Sequence, residues 1–477
     1  MSARTAVLAM IGAVAAAGCA SAPRAVAPAT LNAAPLAGTT QPTGGAWPTA
    51  SWWERYQDPT LNQLVTTALA DSPTLAAAHA RFDSARESVR IAAAAVGAHV
   101  DANAQLSRQR LSDNGLFPPK FLGFNWYNEA DLGLSASYTF DWWGKQRASV
   151  EAATNEARAA AADRTAAALV LAGSVVDTYF GWQTDQARIA LLQDRIATLS
   201  HYDAIAAQRL QAALDDGDEH DRAGADLAAA RGELAALQGS AQLRTVALAA
   251  LTGRSVAELP ELTAKPLPVF TAALPDQVGL DLLARRPDIA ASRWRVEAAQ
   301  HRRRVAAAQY YPDISLHALA GLQSIDLGHL LRAGSADPQI GLAIHLPLFD
   351  NGSRAAQLHM ADAEINGAVA AYNDVVIGAA RDVASSVIAG EQADAQRTQQ
   401  LAAVAATSGL EQSAAARVQQ GLTDLRPQLR AHDALLVQRD ALAQIDAARL
   451  SADIALQRAL GGGFDDSHFN LISMDKR

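Results

Sequence analysis

The sequence of 477 residues contains a single cysteine, Cys19, so no intramolecular disulfide can form. Aromatic residues make up only 5% of it although half of its residues are hydrophobic, because much of the apolar share is alanine. Such a chain favours long helices at close approach over one thick core of large side chains. No glycine-rich loop with the lysine of a nucleotide site is present, so the chain cannot by itself couple work to ATP. The 11 histidines are scattered without an HExxH or Cys/His pattern, and the four methionines, Met1, Met10, Met360 and Met474, form no thioether relay. No metal site is expected. A nucleophile with its base is also missing from the pattern, which argues against an enzyme. With 40 Lys and Arg against 49 Asp and Glu, the net charge of -9 gives nucleic acid no attraction to the whole molecule. The basic run Arg302-Arg303-Arg304 reads as a solvated helix face.

The N-terminal apolar stretch, Ala6 to Ala17, is too short to span a bilayer as a helix, and it follows the positive Arg4. Residues 1–18 therefore read as an export signal. It ends in Ala16-Ala17-Gly18-Cys19, which resembles the lipobox of bacterial lipoproteins with alanine where leucine is usual. The resemblance implies a covalent lipid on Cys19 and no other cofactor. Several acyl chains at one residue hold stably, where one chain is marginal. Ala20 replaces the aspartate that retains such lipoproteins at the inner membrane, which implies sorting to the outer membrane. Residues 19–50, with Pro23, Pro28, Pro35, Pro42 and Pro48 interrupting any helix, read as a lipidated tether.

Beyond the tether the sequence repeats itself with a period slightly over roughly 200 residues. Ser72-Pro73-Thr74-Leu75 is echoed by Arg286-Pro287-Asp288-Ile289, Phe140-Asp141 by Phe349-Asp350, and Ala250-Leu251-Thr252-Gly253 by Ala459-Leu460-Gly461-Gly462. The pattern predicts a first repeat over 51–260, a linker over 261–275, a second repeat over 276–463 and a tail over 464–477. Strands are expected at about 98–112, 129–142, 313–323 and 338–349. Long helices are expected at 145–215, 221–259, 353–416 and 425–460, with apolar steps such as Ile189, Leu192, Ile196 and Leu199 typical of helix pairs packed as short coiled coils.

The strands alternate almost perfectly. Leu132, Leu134, Ala136, Tyr138 and Phe140 fall on one face of the second, against Asp131, Gly133, Ser135, Ser137 and Thr139 on the other. Val100 to Leu106, Ile314 to Leu322 and Ile340 to Leu348 follow the same rule, with Leu319 as the exception. Joined to an export signal, this pattern predicts strands with lipid on one side and water on the other. Aromatic residues Phe117, Phe121, Phe124, Trp126, Tyr127, Tyr310 and Tyr311 collect at strand ends, where interfacial belts lie. Four strands cannot close a barrel, so several copies must join; three give twelve strands and a lumen wide enough to conduct.

Two segments carry a family resemblance. Leu282-Leu283-Ala284-Arg285-Arg286-Pro287-Asp288-Ile289 resembles the LLxRRPDI segment of TolC-like outer membrane efflux proteins of the NodT type, and Ala459-Leu460-Gly461-Gly462-Gly463-Phe464 resembles their terminal ALGGGW. The resemblance implies a mainly α chain with a membrane β part. It implies a homotrimer whose long antiparallel helical hairpins form an α-barrel tunnel, continued by a 12-stranded β-barrel with four strands per protomer. It further implies an outer-membrane exit duct for small toxic molecules, docked to a periplasmic membrane-fusion adaptor and an inner-membrane RND-type transporter. The rival reading is a periplasmic coiled-coil adaptor, or a structural lipoprotein without a pore.

Members of the family constrict the periplasmic end where paired helices turn. Here the first turn holds Asp215, Asp216, Asp218, Glu219 and Asp221, so three copies would gather about fifteen carboxylates at one mouth. The second turn holds Asp424, Arg426 and Arg430, with Pro427 and Arg430 where some members place paired aspartates. Pairing of Arg426 and Arg430 with the acids of the first turn is the expected closure.

Overall fold

A computed structural model describes residues 29–33, 44–114, 118–268, 274–275 and 278–464. The signal segment 1–18, Cys19, most of the tether, Phe117, residues 269–273 of the linker and the tail after Phe464 lie outside the described residues. One order of elements occurs twice. Helices α1 (Pro59–Asp71) and α2 (Pro73–Ala94) precede strands β1 (His99–Arg110) and β2 (Trp126–Phe140) and the long helices α3 (Lys145–Gln211) and α4 (Gly217–Thr252). Then α5 (Val278–Arg285), α6 (Pro287–Ala308), β3 (Asp313–Ser324), β4 (Gln339–His345), α7 (Ser353–Gln419) and α8 (Arg426–Ala459) follow. Proline opens α1, α2 and α6, a position whose N–H has no helical partner in any case.

Neither sequence repeat is a compact unit. One unit takes Asp83–Ala159 and Arg293–Ala371, and the other takes Thr30–Phe82, Ala160–Ser292 and the chain from Tyr372 onward. The core of the second unit joins Leu171 and Val175 of the first repeat to Leu450 and Ile454 of the second, so it draws on both halves of the chain.

The first unit holds one antiparallel sheet in the order β1-β2-β3-β4. Its register aligns Val100, Ala136, Ala318 and Ile340 across all four strands, and Tyr138, Leu316 and Leu342 across three. The alternating pattern thereby becomes one continuous apolar face. Leu319 breaks the alternation for a local reason. Gly133 and Gly321 are partners on the polar face, and a Cβ at Gly133 would lie 3.3 Å from Leu319 Cδ1, so this leucine packs where the glycines leave space. Strand β2 starts earlier than the expected 129, since Tyr127 and Trp126 still pair with Gln109 and Arg110. It ends at Phe140 because Asp141 turns to cap α3, accepting from the backbone N–H groups of Gln146 (3.0 Å) and Arg147 (2.9 Å). Strand β4 stops at His345, short of the expected 349, just before Pro347, which has no N–H to donate.

Helix bounds differ from expectation where the backbone reverses. Helix α3 ends at Gln211 instead of 215, because Ala213 takes a left-handed φ of 55° and Leu214 N–H returns to the Arg209 carbonyl at 2.9 Å. Helix α7 ends in the same way, with Gly421 at φ 69° and Leu422 N–H on the Arg417 carbonyl at 2.9 Å. Helix α4 begins at Gly217 after Asp216, four residues before the expected 221. It ends at Thr252 instead of 259, since Gly253 adopts the left-handed conformation and its N–H donates back to the Ala249 and Ala250 carbonyls. Helices α3 and α7 have 67 residues each, which is about 100 Å of helix. Part of α3 is long and apolar enough to cross a membrane by composition. Its Leu171, Ala172, Val175, Val176, Tyr179 and Phe180 are instead buried in the core of the second unit.

That core also takes Trp52, Tyr56, Leu61, Leu64, Val65, Leu248, Leu450 and Ile454. Two buried tyrosines inside it are paired: Tyr56 Oη donates to Asp453 at 2.8 Å, and Tyr179 Oη donates to Asp58 at 2.7 Å. Asp58 also meets Lys265 Nζ at 2.9 Å. The two motifs that carry the family resemblance meet here. Arg286 is held between Asp288 and Asp382 and donates to the Ala459 carbonyl at 3.2 Å. Gly461, at φ 90°, lies so close to the Arg285 carbonyl that a Cβ would sit 1.8 Å from its oxygen. Glycine is therefore required at this approach by both conformation and space.

Two stability changes are expected. Gly461→Ala should destabilise the fold by roughly 2–4 kcal/mol, since both a left-handed φ and a backbone collision must be relieved. Ala213→Gly should stabilise by about 1 kcal/mol, because it removes the left-handed penalty at a place with no other demand. Thermal unfolding of the purified protein, followed by circular dichroism, reads both shifts.

Candidate functional site

Two features stand out as functional, and each lies within one unit. The first is the pair of helix reversals in the second unit. Asp215 receives Arg209 Nε at 2.6 Å and a second Arg209 nitrogen at 2.9 Å, and Arg426 reaches the same carboxylate at 3.0 Å. Arg426 also bonds Asp424, at 2.9 and 3.1 Å. Glu219 accepts from both Tyr202 Oη and Arg430, whose guanidinium lies 5.1 Å from the Tyr202 ring centroid. Leu429 packs against Tyr202, Ala206 and Ala223 beneath these pairs. The reversal after α3 is thus bound to the start of α8 by charge-assisted hydrogen bonds over a small apolar seat.

Of the residues singled out from sequence, Asp215, Glu219, Asp424, Arg426 and Arg430 come together, and Arg426 and Arg430 pair with acids of the first turn. Asp216 borders the same cleft, at the N-cap position of α4, but its side chain makes no capping bond. Asp218 and Asp221 are exposed and join no ion pair among those described. The place of Asp218 in the first turn of α4 suits the positive end of the helix.

Sequence reasoning missed Arg209 and Tyr202. A signal was available. Arg188, Arg195, Tyr202 and Arg209 stand seven residues apart on α3, and on α8 the residues Asp440, Asp433 and Arg426 descend at the same interval. The structure joins Arg188 to Asp440 at 2.7 Å and Arg195 to Asp433 at 2.8 Å, with Glu233 of α4 beside both arginines. Below these rungs the polarity inverts, and α8 supplies arginines while the first hairpin supplies acids.

The carboxyl groups at the reversals are held below their ordinary range. For Asp215 the main cause is the hydrogen bond from Arg209, for Glu219 the bond from Tyr202, and for Asp424 the bond from Arg426. A carboxylate whose folded pKa is depressed contributes stability above its unfolded pKa and loses it as pH falls through the folded value. The reversals should therefore stay bound at neutral pH and loosen below about pH 4.

The second feature is the sheet of the first unit. Its apolar face is uncovered: Val100 is 65% exposed, Ile340 79%, Leu342 69% and Ile344 71%. Each such side chain forgoes about 1.5–3 kcal/mol of burial while it faces water. Its other face is polar, with Asn103 donating to Ser135 at 3.2 Å and Glu129 accepting from Gln109 (2.8 Å) and Gln323 (3.1 Å). Strands β1 and β4 each lack a partner on their outer edge among the described residues. Aromatic rings mark both ends. At one end Tyr138, Phe140 and Trp142 follow each other at 5.1 and 5.7 Å, and Trp143 stacks on Tyr311 at 4.6 Å. At the other, Phe124 meets Tyr127 at 6.4 Å and Arg108 lies over Trp126 at 5.6 Å. The described residues contain no group of three or more His, Cys, Asp or Glu able to hold a metal ion.

Breaking the pairs at the reversals should separate them. With spin labels at positions 216 and 422, the variant carrying Arg426→Ser and Arg430→Ser should show a longer and broader distance distribution than the parent at pH 7. Acidification of the parent to about pH 3.5 should move its distribution in the same direction. An unchanged distance in both experiments would show that the pairs do not hold the reversals.

The family model described as "Outer membrane efflux protein" matches residues 64–254 and 279–462. The chain is 32% identical over 425 residues to the multidrug resistance outer membrane protein MdtP of Escherichia coli K12, covering 88% of this chain and 87% of that one. Among solved structures it resembles the outer membrane protein VceC of Vibrio cholerae, at 34% identity and a TM-score of 0.79, covering 88% of this chain and all of the other. It also resembles the outer-membrane channel OprN, at 27% identity and a TM-score of 0.83, covering 92% of this chain and 98% of the other.

Proposed function

The chain belongs to the outer membrane efflux protein family, and from that premise we propose that three copies close into one passive duct through the outer membrane. The observation that carries this reading is the sheet: apolar on one exposed face, polar on the other, and unpaired at both edges. In hydrocarbon an unpaired edge leaves backbone groups without partners at several kcal/mol each, so β1 and β4 must be joined by strands of other copies. Two copies give eight strands around a filled interior, whereas three give twelve around an open one. A coiled-coil adaptor has no use for such a sheet, and the pore reading is therefore preferred.

In this reading the long hairpins of three copies form the periplasmic tunnel, and the reversals bearing Asp215, Glu219, Asp424, Arg426 and Arg430 constrict its end. A periplasmic membrane-fusion adaptor and an inner-membrane RND-type transporter supply the cargo and the energy. Multidrug resistance in the name of MdtP supports small toxic molecules as the cargo class. The chain itself acts as a conduit and not as an enzyme. A lipid on Cys19 holds the start of the tether in the inner leaflet of the outer membrane.

Three outcomes are expected. The mature protein should require detergent for extraction and migrate as a heat-modifiable trimer; a water-soluble monomer would sink the reading. In planar bilayers the variant carrying Arg426→Ser and Arg430→Ser should conduct several-fold more at rest than the parent. Cys19→Ala should abolish metabolic labelling with palmitate, while the barrel still assembles.

A further inference from the structure

The polar face of the sheet carries an uneven set of charges. Its side chains, at the odd-numbered positions of all four strands, include Asp101, Glu129, Asp131 and Asp313 but no lysine or arginine. Asp313 is matched by Lys145, whose Nζ lies 3.0 Å away. Among the described residues Glu129 accepts from the neutral amides of Gln109 and Gln323. Asp101, Glu129 and Asp131 therefore have no cationic partner among the described residues. The same face carries His99, His317 and His345, all exposed.

The register gathers the histidines toward one end of this face, beside Asp101 and Asp313, with Asp131 and Glu129 further along the same wall. His99 and His317 flank Ser137 in a single cross-strand row, and His345 is the partner of Asp313. His317 Nε2 lies 2.9 Å from Ser315 Oγ, on its own strand and face. No apolar side chain but Leu319 and Ala343 interrupts the odd positions, so imidazoles and carboxylates share one wetted surface.

Given the pore reading above, on which it rests, we infer that His99, His317 and His345 set the ionic preference of the barrel lumen and make it depend on pH. With neutral imidazoles the lumen of each copy presents three uncompensated negative charges, which concentrate cations and repel anions as charged rings do in channels. Imidazole is the side chain that gains charge between pH 8 and pH 5. Protonation of all three adds three positive charges per copy at the end of the wall that holds Asp101, and so opposes the negative charge that cations and anions meet there. The duct then stops discriminating against anionic cargo.

The test is a reversal-potential measurement on the full trimer in planar bilayers under a potassium chloride gradient. Between pH 8 and pH 5.5 the cation-to-anion permeability ratio of the parent should fall by about threefold or more. The variant carrying His99→Gln, His317→Gln and His345→Gln should hold its ratio over the same range. Histidines elsewhere, including His220 and His432 near the helix reversals, remain in that variant, so the difference between the two proteins isolates the strand positions. Asp215, Glu219 and Asp424 at the reversals stay charged across this window, because their hydrogen bonds hold them below it. Should the triple variant assemble poorly, His317→Gln alone should remove part of the fall. A parent ratio that does not move with pH, or a triple variant that falls as far as the parent, overturns the inference while leaving the pore intact. Trimers that never conduct at any pH, even with Arg426→Ser and Arg430→Ser, overturn the pore reading and this inference with it.

Discussion

A backbone amide in hydrocarbon has no water to bond, and that constraint governs everything else in this molecule. The four strands satisfy one another inside the sheet, but β1 and β4 each expose an outer row of donors and acceptors. The uncovered apolar face, from Val100 to Ile344, asks for lipid, and the open edges forbid lipid to a single copy. Both demands are met only when copies join edge to edge. Oligomerisation is thus a condition of the membrane part, not an addition to a finished fold.

The helical part answers a different demand. Alanine-rich helices of 67 residues have little bulk to bury, so their alignment relies on regularly spaced contacts. Leu192, Leu199, Leu227 and Leu237 make an apolar seam between α3 and α4. Between α3 and α8 the seam is ionic, with rungs seven residues apart that end in the cluster around Asp215 and Glu219. Each rung is partly exposed and contributes modestly, as exposed ion pairs do. Their value lies in register, since a slip of one turn would leave each arginine without its acid and invert the contacts at the reversals.

Rigid anchoring comes from the glycines of the Ala459-Leu460-Gly461-Gly462-Gly463 segment. Gly461 lies against the Arg285 carbonyl and Gly463 against the Thr49 backbone, approaches that no side chain permits. Arg286 ties the same segment to α6 and α7 through Asp288 and Asp382. Two motifs about 170 residues apart in sequence are therefore one structural joint, which explains why both carry the family resemblance.

Much of this was legible in the residues alone. Alternation of apolar and polar side chains over β1 to β4 determined the strands and their two faces, because side chains in a strand point alternately to opposite sides. Proline-free runs and apolar steps of three and four determined the long helices, and the lone cysteine after small residues determined the expected lipid site. Element ends were less legible, since the left-handed turn at Ala213 and the cap at Asp141 depend on backbone geometry that many residue types allow. The partners at the reversals were half legible: Arg426 and Arg430 were expected on the acids, while Arg209 and Tyr202 were not. Only the tertiary structure decided which strand faces which, how the two repeats interleave into units, and that His99 and His317 share a row. Sequence records period and polarity along one chain, whereas contacts between distant segments depend on how those periods align in space.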